Sequence, residues 1–227
     1  MKVSTIIPVL NEEEAIGKVI DEIPKELVDD ILVVDNGSND KSAEVAEIRG
    51  AEVIFEPERG YGRACLAGVN YIKKSPPDIV VFMDGDYSYF PEEIEKLVKP
   101  IMNDEYDLVL GSRILGEREE GSMPQLSILI NKLFTKLVSS IYKVKITDIS
   151  PFRAIRYSSL ITLRMKEGGY GWTAEMILKS ARRDLRILEV PVRYRKRIGE
   201  SKITGRTLEG VKAGIRITYL VFKHLIF

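Results

Sequence analysis

The chain has 227 residues, 44% of them hydrophobic, enough for one large domain or a domain with a small appendage. Its 34 basic and 34 acidic residues balance, so the overall charge gives no reason to expect a nucleic-acid partner, and any phosphate must be met by local clusters. The single cysteine, Cys65, rules out an internal disulfide, and the single histidine, His224, argues against His ligation or a His-based triad. A metal would then be held by oxygen ligands, which favours Mg²⁺ or Mn²⁺.

In chain order, Val3–Val9 is a β-branched run that predicts a buried strand, followed by apolar residues at helical spacing between Glu12 and Ile23. Asn11 is placed to cap that helix, and Glu12 and Glu13 suit its positive end. Asp30–Val34 predicts a second strand closing on the turn Asp35-Asn36-Gly37-Ser38, then a helix over Ser42–Ile48 and a third strand over Glu52–Phe55. A glycine-containing loop at 59–62 leads into a helix over about 63–73, and Ile79–Met83 predicts a fourth strand. Pro91 opens a helix to about Met102, and Leu108–Gly111 predicts a fifth strand. Strands and helices alternating in this way indicate an α/β fold with a mostly parallel sheet covered on both faces, whose ligands bind outside the carboxyl ends of the strands.

Beyond residue 125 the pattern changes. Leu126–Tyr142 reads as an amphipathic helix, Tyr157–Leu163 and Ala174–Arg183 as helices, and Arg186–Arg195 as a strand. Residues 1–205 are assigned to one domain, and 206–227 to a C-terminal amphipathic helix. Such helices lie in a membrane interface, pack on the domain, or meet a second copy in a homodimer. No uninterrupted apolar run reaches the ~20 residues of a membrane-spanning helix. The expectation is a cytoplasmic protein, with peripheral contact to the cytoplasmic face of the membrane as one way of using these helices.

Chemistry-bearing residues gather at the strand ends. Asp84-Gly85-Asp86 follows the fourth strand, and two carboxylates two residues apart at a strand end can approach one divalent cation and a diphosphate. Alone the motif reads equally as an Asp-Gly turn; its place mid-sheet favours function. Asp35 stands where it can hydrogen-bond a base or ribose. Arg113, in Gly111-Ser112-Arg113, offers a planar fork to phosphate oxygens. The densest basic run, Arg193, Arg195, Lys196 and Arg197, leads into Gly199-Glu200-Ser201-Lys202, a composition that fits a loop closing over a diphosphate or a solvated face. Asp148 and Arg153 sit between two helices and could form a structural ion pair, and Trp172 fits an ordinary core position.

Taken in order, IIPVLNEE, VVDNGSND, FMDGDYSYFPEEI, LVLGSR, TDISPFRA, GWTAEM and EVPVRYRKRIGESKITG resemble the family-2 glycosyltransferases of GT-A fold. The similarity is greatest to the branch of dolichol-phosphate mannose synthases and polyprenyl-phosphate glucosyltransferases. That resemblance implies catalytic roles for Asp84, Asp86 and Arg113. Pro8, Asn11, Glu12 and Asp35 would line the nucleotide pocket, and Asp84 and Asp86 would hold Mg²⁺ or Mn²⁺ with the donor diphosphate. Arg113 would face the acceptor phosphate, and Arg197, Ser201 and Lys202 would belong to the donor-side loop. Relatives often carry a glutamine two residues beyond the second aspartate; Ser88 stands here instead, a departure that bears on the coordination shell and donor choice.

The implied activity is inverting transfer of a hexose from GDP-mannose or UDP-glucose to a polyprenyl or dolichyl phosphate. The alternatives are the same donor chemistry with a small soluble acceptor, or a catalytically silent nucleotide- or lipid-binding module.

Overall fold

The computed structural model describes residues 1–199. The expected helix over 206–227, together with Ser201 and Lys202, lies outside the described residues. Seven strands form one sheet in the order β3-β2-β1-β4-β6-β5-β7: β1 (Val3–Val9), β2 (Asp30–Asp35), β3 (Glu52–Phe55), β4 (Ile79–Phe82), β5 (Leu108–Ser112), β6 (Arg153–Arg156) and β7 (Ile187–Pro191). Every pairing is parallel except those of β6, which runs antiparallel between β4 and β5. The expectation of a mostly parallel sheet under helices therefore holds.

Alternating strand residues feed two cores. On one face Ile6, Val80 and Phe82 pack with α3 (Tyr61–Ile72), α5 (Gln125–Tyr142), α6 (Tyr157–Leu163) and α7 (Trp172–Arg182). On the other, Ile7, Ile79 and Val81 pack with α1 (Ile16–Asp21), α2 (Ser42–Ile48) and α4 (Ile94–Met102). With both faces covered, the strands read as continuous apolar runs rather than alternating ones. Trp172 is a core residue as expected, fully buried and edge-on to Phe82 with ring centroids 5.8 Å apart.

Three local expectations change. Asn11 does not cap α1: it has φ +53°, residues 12–15 form a turn, and its side-chain oxygen accepts the Asn39 N–H at 2.8 Å. The predicted strand over 186–195 leaves the sheet after Pro191, where the chain crosses toward β4's end through a bridge between Tyr89 and Tyr194. The strand β6 is new, arising from four residues too few to carry a periodicity of their own. Close packing against a loop explains a glycine of the 59–62 segment: a Cβ at Gly62 would sit 2.1 Å from the Glu167 carbonyl oxygen.

Candidate active site

The parallel strands β1, β2 and β4 end on one rim, and their turns are stitched together by side chains. Val9 pairs with Asp35 in the β1–β2 register, one residue beyond Pro8 and Val34. The Asn11 N–H donates to Ser38 Oγ at 2.9 Å and the Glu12 N–H to Ser42 Oγ at 2.7 Å, so the two loops form one wall. Asp35, nearly buried, accepts the Ser38 N–H at 2.9 Å, which orders the turn beside it. Pro8, Asn11, Glu12 and Asp35 are thus neighbours along one edge of the rim.

The acidic pair stands at the end of β4. Gly85 packs against β1, where a Cβ would lie 2.9 Å from Val9 Cγ2, and Tyr87 turns the chain with φ +65°, a left-handed conformation sparsely used by bulky residues. This turn folds Ser88 back so that its N–H (3.0 Å) and hydroxyl (2.6 Å) both donate to Asp86 Oδ1. Ser88 is therefore the hydrogen-bond partner of Asp86. The other oxygen, Asp86 Oδ2, meets Arg197 Nη1 at 3.2 Å, while Arg197 Nη2 donates to Glu12 Oε1 at 2.8 Å.

Asp84 differs from its neighbour. Among the described residues it makes no hydrogen bond or ion pair. Burial, and then the charge on Asp86, push its pKa up to about 7, against the opposing pull of Arg197 and Arg113. A carboxylate with no ion pair of its own beside a second carboxylate fits a hard divalent ion, to which Asp84 and Asp86 offer oxygen ligands. Among the described residues no group of three or more His, Cys, Asp or Glu side chains converges on one point, so protein ligands alone do not complete a cage. Such an open arrangement suits an ion shared with a phosphorylated ligand.

Of the basic run, only Arg197 reaches the acidic pair. Arg193 pairs with Glu92 and Glu93, Lys196 with Glu119, and Arg195 with Glu22 while stacking on Tyr87 and Phe90. These partners hold the segment against the end of β4 and carry Arg197 to the site.

Arg113, at the end of β5, is committed on one side. Its N–H, Nε and Nη2 donate to the fully buried Asp148 at 2.8, 2.8 and 2.7 Å. Burial alone would raise the Asp148 pKa, but the Arg113 charge and these bonds outweigh it and hold the carboxyl below its ordinary value. The anticipated pairing of Asp148 with Arg153 is not formed. Arg153 turns into the core and donates to the carbonyls of Ile149, Ser150 and Thr173. Those backbone carbonyls satisfy its guanidinium, and the Asp148 carboxylate is taken by Arg113 and Asn131 instead.

Sequence reasoning did not pick out Asn131, Thr147 or Glu189, which complete the Asp148 neighbourhood. The Glu189 carboxylate on β7 accepts the Thr147 and Asp148 N–H groups, and Asn131 on α5 donates to Asp148. An amide at a core-facing position of the amphipathic helix was the available signal for Asn131.

A helix-flanked, mostly parallel sheet with paired aspartates at a central strand end defines a nucleotide-sugar transferase architecture, the GT-A fold. The chain belongs to glycosyl transferase family 2, whose sequence model matches residues 4–164, and it is a glycosyltransferase. It is 35% identical over 206 residues to a dolichyl-phosphate hexose transferase of Haloferax volcanii, covering 88% of this chain and 86% of that one. An undecaprenyl-phosphate mannosyltransferase of Micrococcus luteus is 32% identical over 220 residues, covering 90% and 88%. Among solved structures, glucosyl-3-phosphoglycerate synthase of Mycobacterium tuberculosis, in complex with Mn²⁺, UDP-glucose and phosphoglyceric acid, superposes with a TM-score of 0.80. It is 22% identical and covers 98% of this chain and 79% of that chain.

Proposed function

We propose that the protein is an inverting hexosyltransferase that moves a sugar from GDP-mannose or UDP-glucose to a polyprenyl or dolichyl phosphate. The observation that carries this reading is the uncompensated Asp84 beside Asp86, flanked by guanidinium groups from Arg197 and Arg113. Asp84 and Asp86 would hold Mg²⁺ or Mn²⁺, which, when bound, supplies a Lewis acid that neutralises charge on the departing diphosphate. Pro8, Asn11, Glu12 and Asp35 would bind the base and ribose. Arg197 stands to answer the diphosphate charge, and the donor-loop assignment of Ser201 and Lys202 follows the sequence alone.

At the acceptor, an oxygen of the lipid phosphate forms the new bond to the sugar's anomeric carbon while that carbon's bond to the nucleotide diphosphate breaks, inverting the centre. A phosphate ester is already anionic near neutral pH, so this attack needs no strong general base. Arg113 holds and orients the phosphate with the edge of its guanidinium that Asp148 leaves open.

The acceptor class draws support from the polyprenyl-phosphate enzymes among the relatives and from α5. No helix among the described residues is long and apolar enough to cross a membrane. Yet α5 buries Phe134 and Val138 on the core while Leu126, Leu129, Leu133, Leu137 and Ile141 stay exposed along its other side. An exposed leucine stripe flanked by Lys132 and Lys136 is suited to a membrane interface. A small soluble acceptor is the second reading, favoured by the phosphoglyceric acid bound in the mycobacterial synthase of the same fold. Incubation with labelled donors, Mn²⁺ and either a polyprenyl phosphate or phosphoglyceric acid separates the two. Label extracted into organic solvent supports the lipid acceptor; label confined to water-soluble products refutes it. No transfer from any donor, with or without Mn²⁺, would leave only a binding module.

A further inference from the structure

Asn131 sits mid-helix in α5 and is 1% exposed, on the buried face that it shares with Phe134, Thr135 and Val138. Burying a side-chain amide is unfavourable unless its bonds are remade, and a leucine there would serve helix packing better. All the side-chain bonds of Asn131 run to one short segment. Its Nδ2 donates to the Thr147 carbonyl at 3.2 Å and to Asp148 Oδ1 at 3.0 Å, and its Oδ1 accepts the Ile149 N–H at 2.9 Å. Asp148 Oδ1 in turn accepts Arg113 Nη2 at 2.7 Å, and Asp148 Oδ2 accepts Arg113 Nε at 2.8 Å.

The chain of contact therefore runs from α5 through Asn131 and Asp148 to Arg113. Asp148 uses the Nε–Nη2 edge of the guanidinium, and among the described residues Nη1 makes no hydrogen bond or ion pair. The carboxylate plane fixes the guanidinium plane, because the bidentate geometry tolerates little rotation. The plane of the carboxylate is itself held from both oxygens, by the Asn131 amide on Oδ1 and by the Arg113 backbone N–H on Oδ2.

We propose that Asn131 is a positioning residue for acceptor recognition, setting the direction in which Arg113 presents its free edge to the acceptor phosphate. This rests on the reading of Arg113 as the acceptor-phosphate ligand. It goes further in making a residue of α5, remote from the reacting atoms, control acceptor affinity and leave donor affinity alone.

The test uses the full chain loaded with Mn²⁺ and UDP, with farnesyl phosphate as the acceptor probe, read by calorimetric titration. Donor affinity and melting temperature are measured on the same samples. Asn131→Leu is expected to weaken farnesyl phosphate at least tenfold while changing the affinity for UDP by less than twofold. Asn131→Ser, which keeps a donor but not its reach, is the second variant should the leucine protein not fold. Equal losses for both ligands in step with a lower melting temperature would overturn the proposal, because a purely structural role predicts that pattern. Arg113→Met separates the two claims. If it weakens the probe and neither Asn131 variant does, the positioning claim alone fails. If Arg113→Met binds farnesyl phosphate as the parent does, or the parent does not bind it, the underlying reading of Arg113 fails.

Discussion

Arg197→Met gives the most direct test of how charge is arranged in this site. The guanidinium spans Glu12 Oε1 at 2.8 Å and Asp86 Oδ2 at 3.2 Å, with the two acidic side chains 7% and 8% exposed. Removing one partner of a fully buried ion pair costs about 3–5 kcal/mol, because the remaining charge is stranded. Arg197 itself is 27% exposed, so water relieves part of that penalty and about 2–3 kcal/mol is expected. For a domain of this size each kcal/mol lowers Tm by ~2–4 °C, which places the drop at roughly 5–10 °C. The same substitution removes the cation that Glu12 and Asp86 share and whose charge also acts on Asp84, so Mn²⁺ alone should bind the variant more tightly than the parent. Mn²⁺ at a hundred times its Kd would add about 2.7 kcal/mol and recover most of the lost Tm. Thermal denaturation in EDTA and across a Mn²⁺ series reads both effects. A variant with the parent's Tm in EDTA and the parent's response to Mn²⁺ would refute the idea that Arg197 occupies the place of a cation.

Asp84→Asn should stabilise the metal-free protein at pH 8 while abolishing transfer. With its folded pKa raised to about 7 against an ordinary value of 3.8, the native state holds an extra proton between those limits. Parent stability must then fall as pH rises from about 4 to 7, by ~4 kcal/mol at most, and urea denaturation from pH 5 to 8 should show this slope flattened in the variant. Gly85→Ala should cost about 1–3 kcal/mol and activity with it, since the new Cβ meets Val9 at 2.9 Å and pushes the acidic turn off β1; chemical denaturation checks the first effect and a transfer assay the second. Combined Leu129→Gln, Leu133→Gln and Leu137→Gln, at side chains 53%, 61% and 40% exposed, should leave Tm within about 2 °C. The same protein should lose co-sedimentation with anionic phospholipid vesicles; retained vesicle binding would remove α5 as the lipid contact.

The parallel part of the sheet was legible chiefly from its central strands, since β2 and β4 are largely apolar and each runs into a turn carrying Asp and Gly. The acidic pair was legible for the same reason, since β4 runs without a polar residue straight into Asp84. What the sequence hid are relations across distance. β6 is four residues long, and its direction is fixed by neighbours β4 and β5 that lie far from it in the chain. The partner of Asp148 is 35 residues away, and proximity in sequence favoured Arg153 instead. In the basic run only Arg197 faces the site, a choice made by Glu22, Glu92, Glu93 and Glu119 capturing its neighbours. No local pattern distinguishes one of those arginines from another.

The distribution of charge explains why a neutral protein can handle phosphates at this rim. Glu12, Asp35, Asp84, Asp86 and Asp148 gather there, and only Arg113 and Arg197 answer them directly. The acidic groups outnumber the basic ones, and the excess lies at Asp84, which makes no ion pair among the described residues. The two arginines differ in how they are held. Arg113 is locked by three bonds to a buried carboxylate, so it offers a fixed direction, whereas Arg197 reaches two carboxylates by single contacts and can exchange one of them for a ligand oxygen. A fixed cation suits an acceptor phosphate that must be aimed at a carbon. An exchangeable one suits a donor diphosphate whose charge changes as its bond to the sugar breaks, and that division of labour requires the Arg113 and Arg197 variants to fail on different substrates.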